Sequence, residues 1–292
     1  MIDGLVVVDK AAACTSHDVV GRCRRIFGQR RVGHAGTLDP DATGVLLVGL
    51  GRATRLLQFL TGMPKVYSGE IVLGVATTTL DSSGDVTGRW DMSGVDIDRA
   101  RRAAVGLTGE IQQVPPMVSA LKVGGRRLHE LARAGIEVPR PPRPVVVHRF
   151  QITHIIPGPV LAVVVGCSSG TYVRSLAADL GTALGGGAHL RNLRRLAVGP
   201  FGVDQAEAVD QLGPASVLPP AAALGGMESV RADDSLAAEV AHGRVLDRHR
   251  LGVDGTGPWS VLGADGRLLA VYQSYPGGQA KPVVVMAPGD AG

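Results

Sequence analysis

The sequence predicts an α+β fold, in which apolar runs that read as strands are mixed irregularly with amphipathic helical stretches. Two observations carry this. Residues 145–156 and 160–167 form a hairpin around Pro157-Gly158-Pro159, and several segments repeat apolar residues at three- and four-residue spacing. The regular strand–helix–strand alternation that builds a doubly wound sheet is missing. At 292 residues the chain exceeds one typical domain. Two units are expected, 1–222 and a small β-rich 223–292.

The elements follow in order. Residues 5–8 read as a buried strand. Thr15-Ser16-His17-Asp18 offers a helix N-cap. Val19, Val20, Cys23, Ile26 and Phe27 then mark one helix face, and Arg22, Arg24 and Arg25 the other, with Arg30 and Arg31 beyond. This basic run reads either as a solvated face or as a stripe that tracks phosphates. Residues 45–49 read as a buried strand, 52–60 as a helix with Ala53, Leu56, Leu57 and Leu60 inward, and 66–75 as a strand entering the polar stretch 77–88. Helices are expected over 96–107, 128–134 and 172–184, the last stopped by Gly185-Gly186-Gly187. Residues 213–226, rich in Pro, Ala and Gly, read as a linker. Short strands follow at 259–262, 268–272 and 283–286.

Composition narrows the class. Hydrophobic content of 45% and charged content of 19% describe an ordinary folded protein with a formal net charge of +4. Residues 226–292 hold six Lys/Arg and eight Asp/Glu, which leaves 24 basic and 18 acidic residues before them. Attraction for phosphate therefore belongs to the first three-quarters of the chain. Cys14, Cys23 and Cys167 are odd in number and contain no CxxC pair, which speaks against a disulfide framework or structural zinc. The first apolar run is too short for a signal peptide. No stretch approaches the ~18–20 apolar residues of a membrane span. A cytoplasmic monomer is expected.

The loop Gly33-His34-Ala35-Gly36-Thr37-Leu38-Asp39-Pro40 stands out. Pro40 pushes Asp39 into an extended conformation on a stiffened corner, and Gly33 and Gly36 allow a ligand close approach to the backbone. On its own Asp39 reads as a turn aspartate accepting backbone N–H bonds, much the commoner fate of an Asp in a loop. A phosphate cradle is disfavoured, because neither the Walker A Gly-Lys-Ser/Thr nor GxGxxG is present and an acid would repel the ligand.

The run from Arg31 to Leu46, Arg-Val-Gly-His-Ala-Gly-Thr-Leu-Asp-Pro-Asp-Ala-Thr-Gly-Val-Leu, resembles the signature of the TruB-type tRNA pseudouridine synthases. Further blocks occur in that family's order. They are Asp9-Lys10 with Thr15-Ser16-His17-Asp18, Lys65-Val66-Tyr67, Thr77-Thr78-Thr79-Leu80-Asp81, Pro115 to Lys122, Gly170 to Leu176, and Leu193-Arg194-Arg195-Leu196. The resemblance spans roughly residues 4–200. It implies a mixed, mostly antiparallel sheet flanked by helices, and isomerisation of uridine 55 in the tRNA T-loop. It also implies a PUA-like fold for the C-terminal unit.

That reaction oxidises nothing and loses no group, so neither metal nor cofactor is expected. The resemblance assigns Asp39 the role of catalytic carboxylate, Arg174 its cationic partner, and Tyr67 the stacking aromatic that helps remove the C5 proton. It assigns His34 to the space left by the flipped base, Lys10 to support of the loop backbone, and Asp81 to an acid in a mobile segment. Leu196 is carried over as a substrate-binding residue. An Asx-turn in Leu80-Asp81-Ser82-Ser83-Gly84 serves Asp81 as well. The T-stem-loop is the expected partner, gripped by the helix at 19–27 and by residues 122–149, with seven Lys/Arg against Glu130 and Glu137. One departure stands out. Asp9-Lys10-Ala11-Ala12-Ala13 replaces the family's usual Asp-Lys-Pro-x-Gly, which puts the pose of Lys10 in question. Two readings from other classes compete: an RNA-binding module without catalysis, and a hydrolase using Asp39 and Asp41 as an acid–base pair.

Overall fold

The computed structural model describes residues 1–119 and 121–286. A ten-stranded mixed sheet dominates it. Its main order is Glu207–Ala208, Gly4–Lys10, Thr43–Leu50, Ala188–Val198, Lys65–Leu73, Val160–Cys167, Arg143–Ile156 and Gly109–Gln113. Short strands Val32–Ala35 and Phe201–Gly202 pair alongside. Most neighbours are antiparallel, as expected. The parallel pairs are the one at the Glu207–Ala208 edge and that between Thr43–Leu50 and Ala188–Val198. The latter is short: Arg194 meets Thr43 and Arg195 meets Gly44. The pairing extends no further along either strand, and a cleft lined by Gly36, Asp39, Lys65, Tyr67, Arg174 and Arg195 lies beside it.

Helix Ser16–Ile26 begins where expected, with a reciprocal capping box between Thr15 and Asp18. Its buried residues Val19, Val20 and Cys23 pack on Val6, Val8, Leu46 and Val48 of the sheet. Each such aliphatic burial is worth roughly 1.5–3 kcal/mol. On another part of the sheet, Leu176, Ala177 and Leu180 of helix Val173–Ala183 pack with Ala100 and Ala104 of helix Ile97–Val105.

Several local expectations are corrected. The helix read over 52–60 is a 3-10 turn, Gly51–Leu56, followed by the α-helix Leu57–Thr61. The polar stretch 77–88 is largely the tip of a hairpin, Val75–Thr77 with Val86–Arg89. The strand Ala188–Val198 has no counterpart in the sequence reading. Its sequence alternates poorly because two register shifts, Arg191/Arg194 and Arg195/Ala197, break the two-residue period.

The stretch 213–226 is packed rather than free. Leu5 and Leu218 form a bridge, and Ala223 and Leu224 are buried. They join Ala53, Leu56 and Leu60 to Leu268, Val271 and Val284 of the second sheet and to Met286 just beyond it, so both sheets share one apolar cluster. That second sheet has five strands in the order Ser229–Arg231, Trp259–Leu262, Leu268–Tyr275, Gln279–Val285 and Leu246–Asp247. Helix Asp234–Ala241 packs on it through Leu236 and Val240. No helix among the described residues is long and apolar enough to cross a membrane.

Candidate active site

The loop between Val32–Ala35 and Thr43–Leu50 crosses the cleft and carries Asp39. Buried polar side chains hold its main chain almost residue by residue. Arg195, 1% exposed, donates from Nη2 to the Gly36 carbonyl (3.0 Å), from Nη1 to that of Thr37 (3.5 Å) and from Nε to that of Val45 (2.6 Å). Ser16 Oγ accepts from the Leu38 N–H at 2.9 Å. Lys10 Nζ donates to the carbonyls of Ala11 (2.8 Å), Pro40 (2.9 Å) and Ala42 (2.7 Å). The Ala11-Ala12-Ala13 departure thus leaves Lys10 engaged; Ala13 adopts a left-handed φ of 59°, where glycine is easier. Gly44 is required, since a Cβ there would stand 2.1 Å from the Arg195 carbonyl oxygen.

Arg174, on helix Val173–Ala183, fills the cleft from the other side and is 5% exposed. Its Nε meets Asp39 Oδ2 at 3.1 Å and its Nη2 meets Asp39 Oδ1 at 3.3 Å. Nη1 reaches Asp81 Oδ2 at 3.2 Å and the Thr79 carbonyl at 3.0 Å, and Nη2 also donates to the Val118 carbonyl at 2.8 Å. These contacts match the five N–H donors of a guanidinium. Asp81 is both an Asx-turn residue, accepting from Ser83 N (3.0 Å) and from the Thr79 hydroxyl (2.6 Å), and a partner of Arg174.

Asp39 also opens onto a cavity of about 260 Å³, whose walls include Gly36, Thr37, Lys65, Tyr67, Tyr172 and Leu193. Burial pushes its carboxyl above the ordinary value, Arg174 and Lys10 pull it down, and Asp81 and Asp41 push it up. Its side chain remains 43% exposed towards the cavity, so water there tempers the upward push until a guest displaces it. Tyr67 is 8% exposed; burial raises its phenol while Arg195, hydrogen-bonding to it, acts in the other direction. Lys65, 6% exposed, donates to the Thr61 (2.8 Å) and Met63 (2.7 Å) carbonyls and is brought down to about 8 by burial and by Arg195.

The structure therefore gathers Asp39, Arg174, Asp81, Tyr67 and Lys10 around one cleft. His34 lies on the adjoining strand Val32–Ala35; burial, then Arg195 and His17, lower its imidazole and keep it neutral at pH 7. Leu196 is not among the cavity residues. The bulged strand brings Leu193 and Arg195 there instead. Arg195, Lys65 and Ser16 lay inside the quoted blocks, but nothing in the local sequence distinguished a buried arginine from a surface one. Ala120, within the block from Pro115 to Lys122, lies outside the described residues, as do the side chains of Lys122, Arg127 and Arg133.

A half-buried, ion-paired carboxylate beside an aromatic-walled cavity agrees with what related chains are called. The N-terminal domain of the TruB family of pseudouridylate synthases matches residues 24–173, and the tRNA pseudouridylate synthase B C-terminal domain matches 174–217. The chain belongs to the TruB family of pseudouridylate synthases. The tRNA pseudouridine synthase B of Thermobifida fusca is 48% identical over 98% of this chain and 99% of its own. That of Symbiobacterium thermophilum is 50% identical over 83% of this chain and 82% of its own. Among solved structures, a Cbf5-Nop10-Gar1 complex superposes with TM-score 0.72 at 27% identity, covering 98% of this chain and 84% of that one. An H/ACA RNP bound to a substrate RNA containing 2'-deoxyuridine gives 0.73 at 25%, over 98% and 86%. The TruB-family chain described here is accordingly an isomerase that makes pseudouridine in tRNA.

Proposed function

We propose that this TruB-family enzyme converts uridine 55 of the tRNA T-loop to pseudouridine, with Asp39 as the catalytic carboxylate. The observation that carries this reading is the two-point pairing of Asp39 with Arg174 at the mouth of a cavity walled by Tyr67. Isomerisation breaks the bond from C1′ to N1 and forms one from C1′ to C5; the proton leaves C5 and N1 gains one. Atoms balance, so the protein needs only to hold an anion where positive charge develops at the sugar and to turn the base. Arg174 keeps Asp39 ionised and aimed. Tyr67, protonated at neutral pH, offers its ring to the flipped base. Neutral His34 is suited to fill the space that base leaves. Lys10 and Asp81 support the loop and the arginine fork.

Residues 1–222 act as the catalytic unit on a T-stem-loop, with 223–292 as a PUA-like appendage, in a cytoplasmic monomer. The basic face of helix Ser16–Ile26, with Arg24 and Arg25 exposed, supports an RNA path beside the cleft. Incubating the protein with a tRNA transcript and mapping pseudouridine tests the reading. Wild type modifies position 55, and Asp39→Asn binds the RNA but leaves it unmodified. Wild-type yield from Asp39→Asn refutes the role of Asp39, and a product at another position refutes the site.

A further inference from the structure

The start of the helix that bears Arg174 is held by a residue that the proposed mechanism does not use. Gln113, at the end of the edge strand Gly109–Gln113, is 2% exposed. Its amide grips the main chain of one residue from both sides: Nε2 donates to the Tyr172 carbonyl at 3.1 Å, and Oε1 accepts from the Tyr172 N–H at 2.7 Å. Tyr172 is the N-cap of the helix that bears Arg174, and its own side chain makes no capping hydrogen bond. The next residues repeat the attachment. Ser175 Oγ donates to the Val114 carbonyl at 2.9 Å, and Arg174 Nη2 reaches the Val118 carbonyl at 2.8 Å. A side-chain amide that satisfies both main-chain groups of a cap residue acts as a short strand pairing, and it fixes the start of the helix without occupying the cavity.

We propose that Gln113 is a positioning residue for the isomerisation, setting the Arg174 fork against Asp39 through the main chain of Tyr172. The inference rests on the reading of Asp39 as the working carboxylate. The groups facing Asp39 are Arg174, Asp81, Lys10 and Asp41, from four separate segments. Of these, Arg174 is the strongest that favours the ionised form. If the fork drifts, Asp39 loses that support and needs a higher pH to ionise. Position 113 itself faces Tyr172 and lies opposite Arg143 on strand Arg143–Ile156, with Glu110 on its own strand and Arg174 two residues beyond the cap.

The test compares the full-length wild type with Gln113→Met and Gln113→Glu on a tRNA transcript, with Asp39→Asn in parallel. Gln113→Met keeps length and loses both hydrogen bonds. Its kcat is expected to fall roughly 10²-fold, as for a misplacement of about 1 Å. KM for RNA stays unchanged, and the acid limb of the pH profile moves to higher pH. Gln113→Glu retains the donor–acceptor pair only while its carboxyl is protonated. It is therefore active at low pH and acquires a descending limb, absent from wild type, as that carboxyl ionises. Both limbs are read on one folded protein, so this profile decides even where Gln113→Met fails to fold. A wild-type kcat and acid limb in Gln113→Met, or a wild-type profile in Gln113→Glu, overturns the proposal. Activity in Asp39→Asn overturns instead the reading beneath it.

Discussion

The two sheets handle charge in opposite ways. Among the described residues the buried cations are Lys10, Lys65, Arg174 and Arg195, and all four stand around the Asp39 cleft of the large sheet. The five-stranded sheet buries no Lys or Arg among its described residues. Its largest buried side chains, Trp259 and Tyr272, send neutral donors to Glu228 (3.1 Å) and to the Arg244 carbonyl (2.9 Å). Its ion pairs, such as Arg250 with Asp233 and Glu239, stay near solvent. Burying a cation is unfavourable unless its donors are satisfied. The large sheet therefore keeps costly charges to shape a loop, while the small one is stabilised by apolar packing.

Breaking the first region should have the largest effect. Arg195→Met leaves the Gly36, Thr37 and Val45 carbonyls without their donor and is expected to cost about 3–5 kcal/mol in urea unfolding, with turnover lost as well. A loss near zero would show that the clamp is incidental. Lys65 sharpens the contrast through pH. Its folded value of about 8 lies below the ordinary 10.5, so the unfolded chain binds the extra proton between them. Stability of wild type relative to Lys65→Met should therefore rise as pH goes from about 8 to 10.5, by a total on the order of 3 kcal/mol. A flat difference across that window refutes it. Ala13→Gly relieves a left-handed alanine beside Lys10, and a gain of up to about 1 kcal/mol is expected in the same assay, with activity retained. The smallest effect belongs to the second sheet: Arg250→Ala should change stability by less than ~1 kcal/mol. A loss matching that of Arg195→Met would erase the distinction between the two regions.

Much of the fold was legible, and the reasons differ by element. Helix Ser16–Ile26 was readable because its cap and its apolar face are both local signals. The hairpin 143–167 was readable because Pro157-Gly158-Pro159 separates two β-branched runs. Strand Ala188–Val198 was not, since two bulges destroy its alternation and Arg195 occupies a core position that a pattern assigns to an apolar residue. The stretch 213–226 looked like a linker because Pro and Gly break helices whether or not the chain packs. Motif order marks Asp39, Arg174, Tyr67, Lys10 and Asp81, whereas in the block from Leu193 to Leu196 it does not show that Leu193, and not Leu196, reaches the cavity.

The α+β class, the main strands and helices, the motif around Asp39 and the kinship that points to RNA chemistry were all legible in the amino-acid order. All of these are encoded in neighbouring residues, through periodicity, caps, turns and ordered blocks. Folding in three dimensions was needed to reveal that Asp39 and Arg174 share a two-point ion pair, that Lys10 and Arg195 carry the loop between them, and that Gln113 anchors the helix behind the arginine. Those contacts join residues 30 to 159 positions apart. A lone polar side chain looks the same in sequence whether water or a distant carbonyl will satisfy it. The short parallel pairing of Thr43–Leu50 with Ala188–Val198 sets Arg195 against Gly44, which brings its guanidinium into reach of the loop.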